Sequence, residues 1–139
     1  MPGGDPALAR RAWRAMAELA LDRKRKIAVA EALGLSWTRV LALRRLASGP
    51  QTQRELAERL GADQPYVTLM VDDLERYGLV QRRPHPNDRR AKLVELTATG
   101  RAAAARADAV LDEPPAALEG VPDADLEAVL RVLERISRA

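Results

Sequence analysis

Between residues 82 and 92 the sequence RRPHPNDRRAK sets Arg82, Arg83, Arg89, Arg90 and Lys92 against one acid, Asp88. The local charge is +4 in a chain whose net charge is only +3. Cations concentrated this way point to an anionic partner better than the overall balance does. The groups that make and break bonds are scarce by comparison. There is no cysteine, His85 is the sole histidine, and serine occurs only at positions 36, 48 and 137. Ser36 and Ser48 stand where a helix cap and a turn need them, and His85 reads as a solvated turn residue. No phosphate loop, paired-acid motif or metal constellation is present, so the chain reads as a non-enzyme without metal or cofactor.

The elements that must hold those cations can be read from the flanking segments. LVQRR (79–83) and AKLVEL (91–96) alternate apolar with polar residues and read as two short strands, with PHPND as the turn between them. The prolines exclude helix there and block edge-on pairing at the tip. Upstream, Thr52 and Glu55 have capping-box spacing, Leu56, Ala57 and Leu60 give a short apolar face, and Gly61 permits a tight turn. Asp63 suits the N-cap of a following helix, with Pro65 in its first turn. Val67, Met70, Val71 and Leu74 form one stripe of that helix, and Gly78 closes it. A short helix, a glycine turn and a longer helix make a helix-turn-helix, and a charged hairpin directly after it is a wing.

The remaining segments read as helices. One long helix is expected over residues 6–33, with Leu8, Ala12, Met16, Leu19 and Ala20 on one face and DRKRK (22–26) on its wet side. Gly34 ends it, Ser36 caps the next helix, and Ser48-Gly49-Pro50 stops that one. After Thr97 an alanine-rich helix is expected, its small side chains allowing a partner helix to approach closely. Pro114-Pro115 breaks it, and a last helix from about 123 to 138 carries Leu126, Val129, Leu130, Leu133 and Ile136 as a stripe.

Composition limits the core. Of the 47% hydrophobic residues 26 are Ala and none is Phe, a modest supply for a lone monomer of 139 residues, which hints at an oligomer. Charge is unevenly spread: residues 1–50 carry ten basic and four acidic groups, 51–97 eight of each, and the rest five and eight. Without cysteine there is neither disulfide nor thiol sensor. No apolar run has the length of a membrane span, and the N-terminus has no signal-peptide core, so a cytoplasmic protein is expected.

LERYGLVQRRPHPNDRRAKLVELTATGR (74–101) is similar to the wing signature of MarR-type winged-helix transcription regulators. The matching elements are Leu74, Glu75, Gly78, Leu79 and Val80, then Arg82 or Arg83, then Asp88 and Arg90, then Leu96, Thr97 and Gly100. The order of helices also fits. The resemblance implies a mostly α fold with a small β-hairpin wing. Within one domain spanning 1–139, a winged helix-turn-helix lobe would occupy 36–97, and helices from 1–33 and 98–139 would form the dimerisation region. It implies a homodimer that binds a pseudo-palindromic operator in double-stranded DNA. The usual role is a repressor, many of which are released by a small aromatic or anionic effector.

On the recognition helix Gln64 sits at the N-terminal end, Pro65 and Leu69 face outward and Thr68 lies on the flank, while Tyr66, also on the flank, would reach a phosphate or stack beside the backbone. Gln64 can pair with adenine, and Thr68 and Leu69 can pack on a thymine methyl. By the resemblance Arg90 enters the minor groove, Asp88 orients it, and Arg83, Arg89 and Lys92 meet phosphates. Thr52 and Gln53, at a helix N-terminus, offer a neutral phosphate site. The helix departs from the family pattern at Leu69 and Asp73, where Arg or Lys is common, so guanine readout by arginine is not expected from it. Asp72 should pair internally with a basic group at the wing base, and Asp73 should sit off the groove. Trp13, Met16, Trp37 and Leu41 could border an effector pocket, although a large aromatic at a core-facing position is more often core. The rival function is a winged-helix module that binds protein, with little or no specific DNA binding.

Overall fold

The computed structural model describes residues 3–139, so Met1 and Pro2 of the expected N-terminal helical region lie outside the described residues. In chain order the elements are α1 (Pro6–Ala20), α2 (Arg23–Leu33), α3 (Trp37–Leu46), β1 (Gln51–Thr52), α4 (Gln53–Leu60) and α5 (Gln64–Arg76). They continue with β2 (Val80–Pro84), β3 (Lys92–Leu96), α6 (Ala98–Leu111), a 3-10 turn (Ala116–Leu118) and α7 (Asp123–Ser137).

The capping chemistry forms as the residue types dictate. Thr52 and Glu55 make a complete capping box at the start of α4. Asp63 Oδ1 accepts from the Tyr66 N–H at 2.9 Å to open α5. Between them Gly61 takes a left-handed conformation at φ 63°, which a side chain would resist and which turns the chain sharply from α4 into α5.

The single helix expected over 6–33 is in fact two. Leu21 ends α1, and Asp22 caps α2 through the Lys24 N–H at 3.0 Å. A carboxylate at that position serves a new helix start better than it serves a helix interior. Nor is DRKRK simply a wet face: Arg25 donates to the Leu111 carbonyl at 3.0 Å, and Lys26 lies 5.4 Å from the centre of the Trp37 ring.

The sheet has the order β1-β3-β2, all antiparallel, with Val80 opposite Leu96 and Pro84 opposite Lys92. The two expected strands form, offset by about one residue at their starts. The two-residue β1, paired through Gln51 with Val94, was not expected. Pro84 sits on edge strand β2, where its missing N–H costs no ladder bond.

The core lies inside the lobe. Leu43, Leu56, Val67, Met70, Val71, Leu74 and Val94 are fully buried, and Ala103 and Ala104 of α6 close it from behind. A smaller cluster of Val29, Val40 and Ala107 joins α2, α3 and α6. The alanine-rich helix therefore finds its close partners within its own chain. Helices α1 and α7 contribute no buried residue.

The LTxxG segment locks the wing to α6. Thr97 Oγ1 accepts from the Gly100 N–H at 3.0 Å and donates to the Gly78 carbonyl at 2.6 Å, while the Thr97 N–H donates to the Leu79 carbonyl at 3.0 Å. Gly100 is buried directly against that carbonyl. A β-carbon there would overlap the Leu79 oxygen and come within 2.9 Å of its carbonyl carbon. This is the physical reason for glycine one turn into the helix.

Candidate nucleic-acid interface

Helix α5 buries Val67, Met70, Val71 and Leu74, and so turns Gln64, Pro65, Leu69, Asp72 and Arg76 to solvent. Leu69 is 64% exposed, a large apolar group left on the surface. Tyr66 also lies on the surface. Thr68 is exposed, but its hydroxyl donates to the Gln64 carbonyl at 3.0 Å and accepts from Gln53 Nε2 at 2.9 Å.

The acidic pair is spent in two directions. Asp72 Oδ1 accepts from Arg82 at 2.6 Å, across to the wing base, as the sequence led one to expect. Asp73 instead pairs with Arg39 of α3 and with Arg76 one turn on. The Arg39 hydrogen bond, with the charges of Arg39 and Arg76, holds the Asp73 carboxyl below its ordinary value of 3.8.

Arg82 is the hub of this face. Only 17% of its side chain is exposed. Its guanidinium donates to Asp72, to Glu75 Oε1 at 3.1 Å and to Gln53 Oε1 at 3.0 Å, while its backbone N–H donates to Glu75 Oε2 at 3.1 Å. Sequence reading placed Arg82 beside Arg83 as interchangeable and put only Arg83 among the phosphate contacts. The alternation of β2 separates them, since neighbours point to opposite faces. Arg83, half-exposed, pairs with Glu95 of β3 at 3.0 Å.

The tip of the hairpin is different. Asp88 Oδ1 accepts from the Arg90 backbone N–H at 2.9 Å, so it shapes the turn and forms no ion pair with the Arg90 guanidinium. Arg89, Arg90 and Lys92 are exposed, and among the described residues none has a carboxylate within 4.0 Å. His85 is half-buried, its Nδ1 accepting from the Asn87 N–H at 3.0 Å. Arg90 and Lys92 line a cleft of about 380 Å³ with Thr52, Gln53, Arg54 and Gln64. Wing, α4 start and α5 start thus converge on one concavity. Arg54, on the exposed first turn of α4, was missed from sequence because its neighbours Gln53 and Thr52 carried the capping signal.

The four residues considered for an effector pocket have different surroundings. Trp13 is 66% exposed on α1 and forms no part of the core, contrary to the usual fate of tryptophan. Trp37 packs on the cluster of Val29, Val40 and Ala107. Met16 is half-buried, and Leu41 lines a separate cleft with Arg44, Arg45, Ser48, Arg59 and Asp108.

Comparison with known proteins follows the same lines. Residues 35–92 match the model of the MarR family. Wild-type MarR from E. coli in its apo form superimposes with a TM-score of 0.74 at 23% identity, covering 90% of this chain and 94% of that one. The transcriptional regulator BldR from Sulfolobus solfataricus is 28% identical, with a TM-score of 0.65 and coverage of 97% and 99%. A MepR mutant from S. aureus, solved bound to an oligodeoxyribonucleotide, gives a TM-score of 0.66 at 21% identity, covering 93% and 96%. The helix-turn-helix and wing are thus similar to the MarR family over residues 35–92, and nearly the whole chain is similar in fold to solved transcriptional regulators.

Proposed function

We propose that this protein binds double-stranded DNA as a homodimer and regulates transcription, α5 entering the major groove and Arg90 the adjacent minor groove. One observation carries the reading. On the face formed by α5 and the wing, Asp72, Asp73, Glu75 and Glu95 are paired with arginines, and Asp88 is the one wing carboxylate without an ion pair, while among the described residues the three cations Arg89, Arg90 and Lys92 are unpaired. The charge available to a partner is positive and sits on a projecting hairpin, as phosphate and narrow-groove contacts require. The DNA-bound state of the MepR relative lends further support.

Dimerisation is supported by the terminal helices. Leu8, Trp13 and Leu19 of α1 and Val129, Leu130, Leu133 and Ile136 of α7 are exposed, and an apolar surface of that extent on amphipathic helices fits a subunit interface. In this reading the dimer represses by occupying a pseudo-palindromic operator. A small aromatic or anionic effector would bind only where a second subunit completes the surroundings of Trp13.

The test is fluorescence anisotropy with a labelled duplex from upstream of the protein's own gene, against a scrambled duplex, between about 50 and 200 mM salt. Preferential binding whose affinity falls by orders of magnitude across that range is expected. Equal binding of both duplexes with little salt dependence would refute the reading and favour a protein-binding module.

A further inference from the structure

The role of the acidic pair on α5 follows from where its partners lie. Asp72 is tied to β2 through Arg82 and Asp73 to α3 through Arg39, on opposite flanks of the same helix. We propose that the pair is a two-sided brace that fixes the roll of the recognition helix, and that Arg82 is its positioning residue, masking two carboxylates from DNA rather than contacting phosphate. The inference rests on the DNA-binding reading above.

Three features support it. First, Arg82 is the least exposed of the arginines that form ion pairs on this face, and its guanidinium is directed at Asp72, Glu75 and Gln53, leaving little for an outside anion. Second, among the described residues Arg82 is the ion-pair partner of both Asp72 and Glu75, so its loss would release two negative charges beside the groove-facing surface. Like charge at such an interface lowers affinity for every duplex. Third, the network extends through Gln53 to Thr68, whose polar atoms are thereby engaged. Base readout then falls to Gln64, Tyr66 and Leu69. The brace therefore sets which side chains read sequence as well as how the helix lies.

The experiment compares wild type with Arg82→Gln, the triple variant Arg82→Gln/Asp72→Asn/Glu75→Gln, and Arg90→Ala. Each is titrated against the duplex that wild type selects from a randomised library and against a scrambled duplex, across a salt series. Arg82→Gln should lose about tenfold or more in affinity for the selected duplex, equivalent to about 1.4 kcal/mol. Its salt slope should be unchanged, because no phosphate contact is lost, and the triple variant should recover at least half of the loss on a logarithmic scale. Arg90→Ala should instead lower the slope by about 0.9.

Wild-type affinity in Arg82→Gln would overturn the proposal while leaving DNA binding intact, as would a slope reduced by about one with no recovery in the triple variant. A wild type that selects no duplex would overturn both readings together. If Arg82→Gln fails to fold, Asp72→Asn decides: a fall of threefold or more in preference for the selected duplex supports the brace, and an unchanged preference overturns it.

Discussion

Replacing Gly100 with alanine tests the join between wing and helix most directly. In an ordinary helix the change would stabilise by about 1 kcal/mol, because glycine is the poorer helix former. Here the new methyl would overlap the Leu79 carbonyl oxygen and stand 2.9 Å from its carbon and 3.2 Å from Leu96 Cδ2. The obstruction is backbone, which cannot swing aside as a side chain would. Relief requires α6 to lift off the start of β2. Forced overpacking of this kind costs roughly 1–3 kcal/mol, sometimes more. Lifting the helix also stretches the 3.0 Å bond from the Thr97 N–H to Leu79, and leaving such a group unmet costs about 1–3 kcal/mol. Set against the propensity gain, the net effect is a destabilisation of about 3 kcal/mol, or a fall in Tm of about 10 °C for a chain of this size. The assay is thermal and urea unfolding at a fixed protein concentration, since an associating protein's midpoint shifts with concentration. Ala105→Gly, on the exposed side of the same helix, is the control and should cost only about 1 kcal/mol. A Gly100→Ala protein as stable as wild type would refute the close-approach argument.

Other outcomes follow from the same geometry. Arg90→Ala should weaken DNA binding by tenfold or more without altering the melting curve, and wild-type affinity at matched salt would remove the wing from the interface. Leu130→Arg with Ile136→Arg, on the exposed stripe of α7, should shift the protein from dimer to monomer in sedimentation; an intact dimer would place the interface elsewhere. Because the folded-state pKa of Asp73 is depressed, its contribution is complete above the ordinary value of 3.8 and disappears as pH falls through the lower folded value. The melting temperature should therefore decline on acidification below about pH 4, and Asp73→Asn should be less stable at neutral pH yet flatten that acid limb. An unchanged limb in the variant would mean that the Arg39 pair adds nothing to the fold.

The features legible in the sequence were those written in local chemistry. Ser36, Thr52 and Asp63 cap helices because their side chains reach amides three residues away, a relation that spacing alone discloses. The stripe of Val67, Met70, Val71 and Leu74 likewise follows from helical period. What escaped was set by distant partners. The break at Leu21 and Asp22 was hidden because apolar residues continue on both sides of it, while Asp22 is equally at home on a wet face. Strand β1 exists only because β3 offers Val94 and Leu93 as neighbours. Arg82 and Arg83 are identical as letters; the pleat sends one under α5 and the other against Glu95. Trp13 was read by its type, yet on α1 it stands largely exposed.

The Thr97 cap has a mechanical consequence. A single residue separates the last strand of the hairpin from α6, and that residue is bonded to both sides of the joint. Strand and helix therefore behave as one solid block, and the hairpin cannot tilt without carrying α6 and the alanines it buries. The weak points lie elsewhere, at Leu21–Asp22 and along residues 112–122, where the chain passes to helices with no buried residue. In the proposed dimer, adjustment of the distance between two such blocks on a duplex would fall to those connectors.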